Sequence, residues 1–336
     1  MTQSQRTTIN DVAKLAGTSA ATVSYFLNGK LDKMSEATRA RIEQVIRETG
    51  YVPSAHAQGL ASKPSGVIAV LIEDNTNVWA GQLVRGVERV AHEAGYFTVV
   101  CDTHFDPEME RNYVEKMLSL GVDGFVIQPT NLHRRINERL VRAGKPVVFY
   151  DFNGMDLQTT WIKTDLYGGV YDATRACIEK GYEEFVLLST GPEGSRTRIE
   201  RQSGFSDALG EHGLEYQFIQ IGHNNPTVAE LRHRFEFKLS PARRTLLFCP
   251  HQWALARVLK ALEPMRHLVP ERIGLLGLDN ADWTDLTEPQ VSTIIEPVEE
   301  EGHLACEMLL SLMHDPATPP KQRMLPCTTR WLASTI

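Results

Sequence analysis

Two stretches of the chain carry side chains whose types and spacing could do chemistry. Thr18-Ser19-Ala20-Ala21-Thr22-Val23-Ser24 sets four small hydroxyl residues around two alanines. Hydroxyls on the first turn of a helix can bond phosphate oxygens, and a slender first turn can enter a groove that a bulkier one cannot. Much later, Arg196-Thr197-Arg198-Ile199-Glu200-Arg201 places three guanidinium groups within six residues. Guanidinium forks grip carboxylates and phosphates through paired, charge-assisted hydrogen bonds. Catalytic patterns are lacking: the sequence has no G-x-S-x-G, no P-loop and no H-E-x-x-H. Its five cysteines (Cys101, Cys177, Cys249, Cys306 and Cys327) are scattered without a C-x-x-C pair. That predicts reduced, mostly buried thiols, with no metal cluster and no cofactor.

The elements that must position these residues are legible. Thr8 to Asp11 resembles a capping box and opens a helix with Ile9, Val12, Ala13, Leu15 and Ala16 at helical spacing. Gly17 supplies a tight turn. Ser19 caps a second helix carrying Val23, Phe26 and Leu27 inward, and Ser35 caps a third with Ile42, Val45 and Ile46, ended by Gly50. Up to Pro64 there are eight basic and five acidic residues, and eight minus five leaves +3. With −7 overall, the rest carries −10. A basic head on an acidic body orients a molecule on phosphate.

Tyr51 to Gly66 reads as a linker, and beyond it the pattern changes. Apolar runs VIAVLI, FTVVCD, DGFVIQP and PVVFYD alternate with helix-length amphipathic stretches, and EEFVLLST, YQFIQIG, RRTLLFC and RIGLLGLD repeat the scheme. Strands alternating with helices make parallel sheets. The expected fold is an all-α head plus an α/β body of two lobes, each a doubly wound parallel sheet. No apolar run reaches the ~18 residues of a membrane span and the N-terminus has no apolar h-region, so a cytoplasmic protein is expected.

The run TINDVAKLAGTSAATVSYFLNG followed by MSEATRARIEQVIRETGYVP closely resembles the LacI family of bacterial repressors. The resemblance implies a helix-turn-helix head over residues 1–51, a hinge over 52–65 and an effector-binding, dimerising body over 66–336. Within the body it implies a first lobe of about 66–162 and 292–325, and a second of about 163–291 and 326–336. Ala20, Ala21 and Tyr25 fall on base-reading positions, and Thr8, Ser19, Thr22, Ser24, Asn28, Lys33 and Thr38 on phosphate-contacting ones. Ala57 and Leu60 lie in the stretch Pro53-Ser-Ala-His-Ala-Gln-Gly-Leu60, which matches a hinge that folds in the minor groove, where paired leucines wedge a base step apart. The partners so implied are a second copy of the chain, a pseudo-palindromic double-stranded operator and a small sugar-like effector.

Positions matching the family's effector contacts fall at strand ends: Trp79, Asp151, Phe152, Arg201, His251, Trp253 and Asp279. Flat aromatics against C–H faces, with charged groups on hydroxyls, suit a sugar. Pro250-His251 stands where many members carry Asn-Asp, which removes a carboxylate and an amide. Arg196, Thr197 and Arg198 lie on the same stretch as Arg201. A lost carboxylate and added cations favour an anionic sugar acid or sugar phosphate; the alternative is a neutral sugar or nucleoside, with Arg196 and Arg198 merely solvated. Trp79 and His251 likewise have a plain packing alternative.

Overall fold

The computed structural model describes residues 7–27, 29–51, 64–152, 158–191, 196–222, 226–239 and 242–335, with the side chain of Arg196 excepted. Its contacts divide the chain into two units, Met1–Ser65 and Gly66–Ile336.

The head is built from α1 (Ile9–Leu15), α2 (Ala20–Leu27) and α3 (Glu36–Thr49). Thr8 caps α1 in a reciprocal box with Asp11, and those hydrogen bonds hold the Asp11 carboxyl below its usual range. Gly17 and Gly50 take positive φ at the two helix ends, where a Cβ would be strained. Val12, Ala13, Ala16, Val23, Ile42 and Tyr51 form the small core, with Ile9, Phe26, Leu27, Val45 and Ile46 packed against it. Leu15, although in phase with the apolar set, is 63% exposed.

In the body, β1 (Val67–Ile72), β2 (Phe97–Asp102), β3 (Gly124–Ile127), β4 (Val147–Tyr150), β5 (Trp161–Asp165) and β11 (Gln322–Pro326) form one sheet. Its order is β11-β5-β4-β3-β1-β2, and every pairing is parallel. Helices α4 (Val78–Glu93), α5 (Pro107–Leu120), α6 (His133–Arg142) and α11 (Val298–His314) cover its faces. The second sheet runs β12-β10-β9-β8-β6-β7, from β6 (Glu184–Ser189), β7 (Tyr216–Gln220), β8 (Thr245–Cys249), β9 (Ile273–Leu278), β10 (Ser292–Ile295) and β12 (Thr328–Arg330). Around it lie α7 (Leu166–Glu179), α8 (Arg196–Gly210), α9 (Val228–Lys238) and α10 (Gln252–Ala261). The inner strands are near-continuous apolar runs because helices bury both of their faces.

Two details depart from the sequence expectation. β12 pairs antiparallel to β10, so the second sheet is parallel except at that edge. The lobe boundaries also shift. β5 completes the first sheet through Asp165, three residues past the expected 162, and β10, expected in the first lobe, pairs with β9 in the second. Polar residues, alternating in Trp161–Asp165 and filling the first half of Ser292–Ile295, hide both strands from an apolar-run reading. The chain therefore crosses between lobes after β5, after β10 and between β11 and β12.

Helices α4 and α11 pack through glycines. A Cβ on Gly302 would overlap the Leu83 carbonyl, and one on Gly86 would overlap the Glu299 carbonyl. Such close backbone approach leaves no room for overpacking. Gly302→Ala is expected to destabilise the body by about 1–3 kcal/mol, read as a lower urea midpoint. A wild-type midpoint would mean that the two helices separate freely.

Candidate functional site

On the head, the Ser19 hydroxyl accepts the Thr22 amide at 3.1 Å and lies 2.9 Å from the Thr22 hydroxyl. Ser35 and Thr38 repeat the arrangement on α3, again with hydroxyls 2.9 Å apart. Each helix start thus presents a pair of hydroxyls at the positive end of a helix, a combination suited to anionic oxygens. Ala21 and Tyr25 lie one turn apart on the outer side of α2, and Tyr25 is 42% exposed. Ala20 is half-buried against the head core, and Thr22 and Ser24 are also half-buried. The Thr8 hydroxyl is engaged by Asp11 at 2.6 Å, and exposed Lys33 lies 3.7 Å from Asp32. Asn28, Ala57 and Leu60 lie outside the described residues.

In the body, α8 carries Thr197 and Arg198 on its first turn and Arg201 on the next. Arg201 donates to the Pro250 carbonyl at 2.5 Å and to the Thr197 carbonyl at 3.2 Å, which pins its guanidinium at the carboxyl end of β8. Asp151, just past β4, sits at φ 50°, in the left-handed region that disfavours a non-glycine residue. Two groups hold it there. Its amide donates to Glu301 of α11 at 3.1 Å, and its side chain accepts from Gln128 at 3.0 Å. Burial pushes the Asp151 carboxyl up to about 6, against the pull of Arg201 and Lys163. Burial likewise lifts Glu73, just past β1, to about 8, and Glu296, just past β10, to about 7. Arg198 acts on Glu73, and Arg201 on Glu296, as neighbouring cations. Burial and the proximity of Arg201 push the Arg198 guanidinium down from its usual range. Arginines of the second lobe therefore act on Glu73 and Asp151 of the first lobe and on Glu296 at the crossing after β10.

Other expected residues are held differently. Trp79 stacks on Tyr150 at 5.9 Å between ring centres and belongs to the first-lobe core, although its indole also bonds Glu296. Phe152 packs on His133 at 4.7 Å and on Phe149 at 5.6 Å. His251 is buried, with Nε2 2.9 Å from the Ser189 hydroxyl, 3.3 Å from the Thr190 amide that donates to it, and its ring against Trp253. An imidazole nitrogen that accepts an amide carries no proton, so this ring is neutral. Asp279 accepts from the Ala281 amide at 2.8 Å and the Trp283 indole at 3.0 Å, so its oxygens serve the loop that follows β9. Arg196 opens α8, and its side chain lies outside the description. Among the described residues, no group of three His, Cys, Asp or Glu is arranged to hold a metal ion. No helix among them is long and apolar enough to cross a membrane.

Comparison with known proteins agrees over the whole chain. Residues 8–54 match the bacterial regulatory proteins of the lacI family. Residues 65–236 match the periplasmic binding proteins and sugar binding domain of LacI family, and 174–335 a periplasmic binding protein-like domain. The HTH-type transcriptional regulator PtxS of Pseudomonas putida is 30% identical over 310 residues, covering 91% of this chain and 89% of that protein. The chain belongs to the LacI family. A LacI-family transcriptional regulator from Silicibacter pomeroyi superposes with a TM-score of 0.81 at 26% identity, covering 98% of this chain and 99% of that one. The complex of the regulator CelR with cellobiose shares the fold, with a TM-score of 0.68 at 23% identity, covering 98% and 100%. This LacI-family chain is a DNA-binding transcriptional regulator rather than an enzyme.

Sequence reading missed Glu73, Gln128, Lys163, Glu296 and Glu301 of this LacI-family body. Glu73 and Gln128 follow β1 and β3 directly, and the rule that doubly wound sheets bind ligands beyond strand ends could have found them. Glu301 has no such signal, since it reaches the site from the first turn of a helix more than a hundred residues downstream. The raised acids have a measurable consequence. A carboxyl that holds its proton more tightly when folded stabilises the fold while protonated, and that contribution is lost as pH rises from the unfolded to the folded value. For Glu73 the window runs from pH 4.5 to about 8. The urea midpoint of the body should fall across this window, and Glu73→Gln, neutral at every pH, should flatten the fall. An unchanged slope in the variant would mean that Glu73 titrates as an ordinary carboxylate.

Proposed function

We propose that the protein is a homodimeric repressor of carbohydrate-utilisation genes, whose operator affinity is set by an anionic, sugar-derived effector held between its lobes. The observation that carries the effector reading is the pair Arg198 and Arg201 on α8, opposed by first-lobe carboxyls. With burial lifting Glu73 to about 8 and Glu296 to about 7, these acids are not fully ionised at neutral pH and do not cancel both guanidinium charges. A sugar acid would place its carboxylate on the arginines and its hydroxyls on Asp151 and these acids. Thr197 and the neutral His251 with Trp253 would line the second-lobe side. CelR holds cellobiose in the same fold, which keeps a neutral sugar as the competing reading.

Contact with DNA would run through α2 and the hydroxyl pairs at the starts of α2 and α3. Ala21 offers a methyl for thymine, and Tyr25 a hydroxyl for a base edge. For the second copy, the outer edge of β2 exposes Phe97, Val99 and Val100, with Phe97 74% exposed. An apolar edge strand of this kind calls for a covering partner, and two heads require two chains. The sugar-binding body makes an effector that closes the cleft and releases the operator the favoured sign of control.

A thermal-shift screen of sugar acids, sugar phosphates, neutral sugars and nucleosides tests the effector. Binding at ~100 times the dissociation constant stabilises the fold by roughly 2.7 kcal/mol, a readily seen rise in midpoint. The shift should be confined to anions and vanish in Arg201→Ala; a shift with neutral compounds alone would overturn the anionic assignment. On the DNA side, Tyr25→Phe should weaken an operator fragment selected from random duplexes by about five-fold at matched salt. Equal affinity would remove Tyr25 from base reading.

A further inference from the structure

Lys163 and Glu200 form an ion pair that bridges the two lobes. Lys163 belongs to β5 of the first sheet, and Glu200 to α8, whose Phe205 is part of the second-lobe core. Their charged atoms lie 2.5 Å apart, and the side chains are only 5% and 13% exposed. Lys163 sits two residues before Asp165, the end of β5, from which the chain crosses into α7. Contacts beside a crossing act with a short lever, so a small change there becomes a large displacement at the far ends of the lobes. A second link spans the lobes nearby, where Asn280 donates to Gln82 of α4 at 3.0 Å and grips the backbone of Glu296. That link is between neutral amides, whereas Lys163–Glu200 is charged and buried.

Both partners also touch the electrostatics of the effector cleft. Lys163 pulls the Asp151 carboxyl down, and Glu200 pushes it up. Glu200 is the chain neighbour of Arg201 on α8, so whatever holds Glu200 also holds the turn that presents Arg198 and Arg201. A buried ion pair is a poor source of stability but a strong source of geometry, because neither charge can leave its partner without an uncompensated cost.

We propose that Lys163 and Glu200 are positioning residues, a clasp that fixes the angle between the lobes and thereby the distance between Asp151 and the arginines of α8. The proposal rests on the two-lobed effector reading but not on the identity of the effector. In the absence of the clasp the lobes sample a wider range of angles, and the cleft has no single width to offer a ligand.

The test uses the full chain with neither effector nor operator. Spin labels on Lys116→Cys in α5 and Glu236→Cys in α9, both exposed sites, report the interlobe distance by double electron–electron resonance. Labelled chains are diluted with unlabelled protein so that each dimer contributes one pair, and four of the five native thiols are buried. The informative variant is the double K163M/E200M, which removes both charges and leaves neither unpaired, so it keeps its fold. Its distance distribution should broaden about two-fold or shift by ~3 Å or more relative to wild type, while its far-ultraviolet circular dichroism is unchanged. E200D, which keeps the charge but shortens the reach, should shift the mean by less and stay narrow. Distributions of K163M/E200M and E200D that superimpose on wild type would overturn the clasp. Such a failure leaves the effector reading intact, since the thermal-shift screen measures that separately.

Discussion

The carboxyl group of Glu301 is the point on which the effector cleft turns. One of its oxygens takes the amide of Asp151, and the other takes the hydroxyl of Thr164, so a single side chain of α11 joins the ends of β4 and β5. It is fully buried and held well above the ordinary carboxylate range by burial and by Asp151. The neighbouring Gly302 explains how it gets there: only a residue without a Cβ lets α11 approach α4 closely enough. Packing and chemistry are thus settled on adjacent residues of one helix. Asp151 can remain at positive φ because Glu301 and Gln128 over-determine its position.

The two lobes share one plan. Each sheet is ordered 2-1-3-4-5-6 when its own strands are numbered in sequence, with the last strand added after the chain has visited the other lobe. Ligand sites of such sheets lie beyond the carboxyl ends of the first and third strands. In the first lobe those ends carry Glu73 and Gln128, and in the second Ser189, Thr190 and His251. An acid and an amide stand at the first-lobe ends, and at the second an imidazole follows Pro250, whose carbonyl holds the Arg201 guanidinium. The two sides of the cleft thus carry different chemistry.

Within the head, short-range chemistry suffices. Caps at Thr8, Ser19 and Ser35, turns at Gly17 and Gly50, and apolar residues at helical spacing specify three helices with few distant contacts. Only Leu15 broke the pattern: it lies in phase with Val12 yet faces solvent, because the head is too small to cover every side of α1. Of the three residues read as base-facing from sequence, Ala21 and Tyr25 are exposed on α2, whereas Ala20 is half-buried against the head core.

What the sequence by itself determined about this protein is its family, its division into head and body, and eight of the strands of the two sheets, those that sit in apolar runs. Periodicity and capping are local, and strands of this composition have few alternatives to burial between helices. The arginines of α8 and the strand-end position of Asp151 were legible for the same reason. Tertiary structure alone decided the rest. β5 and β10 are short or interrupted by polar residues, and their lobe is chosen by pairing partners far away in the chain. Glu296, Glu301 and Lys163 join the site through contacts that no spacing rule encodes, and their burial beside other charges gives each its role. The sequence expectation of an anion rested on a lost carboxylate and added cations, whereas the fold sets beside those cations acids whose charge depends on burial. Burial is a property of the assembled lobes, so the balance of charge that an effector meets was never written in any one segment.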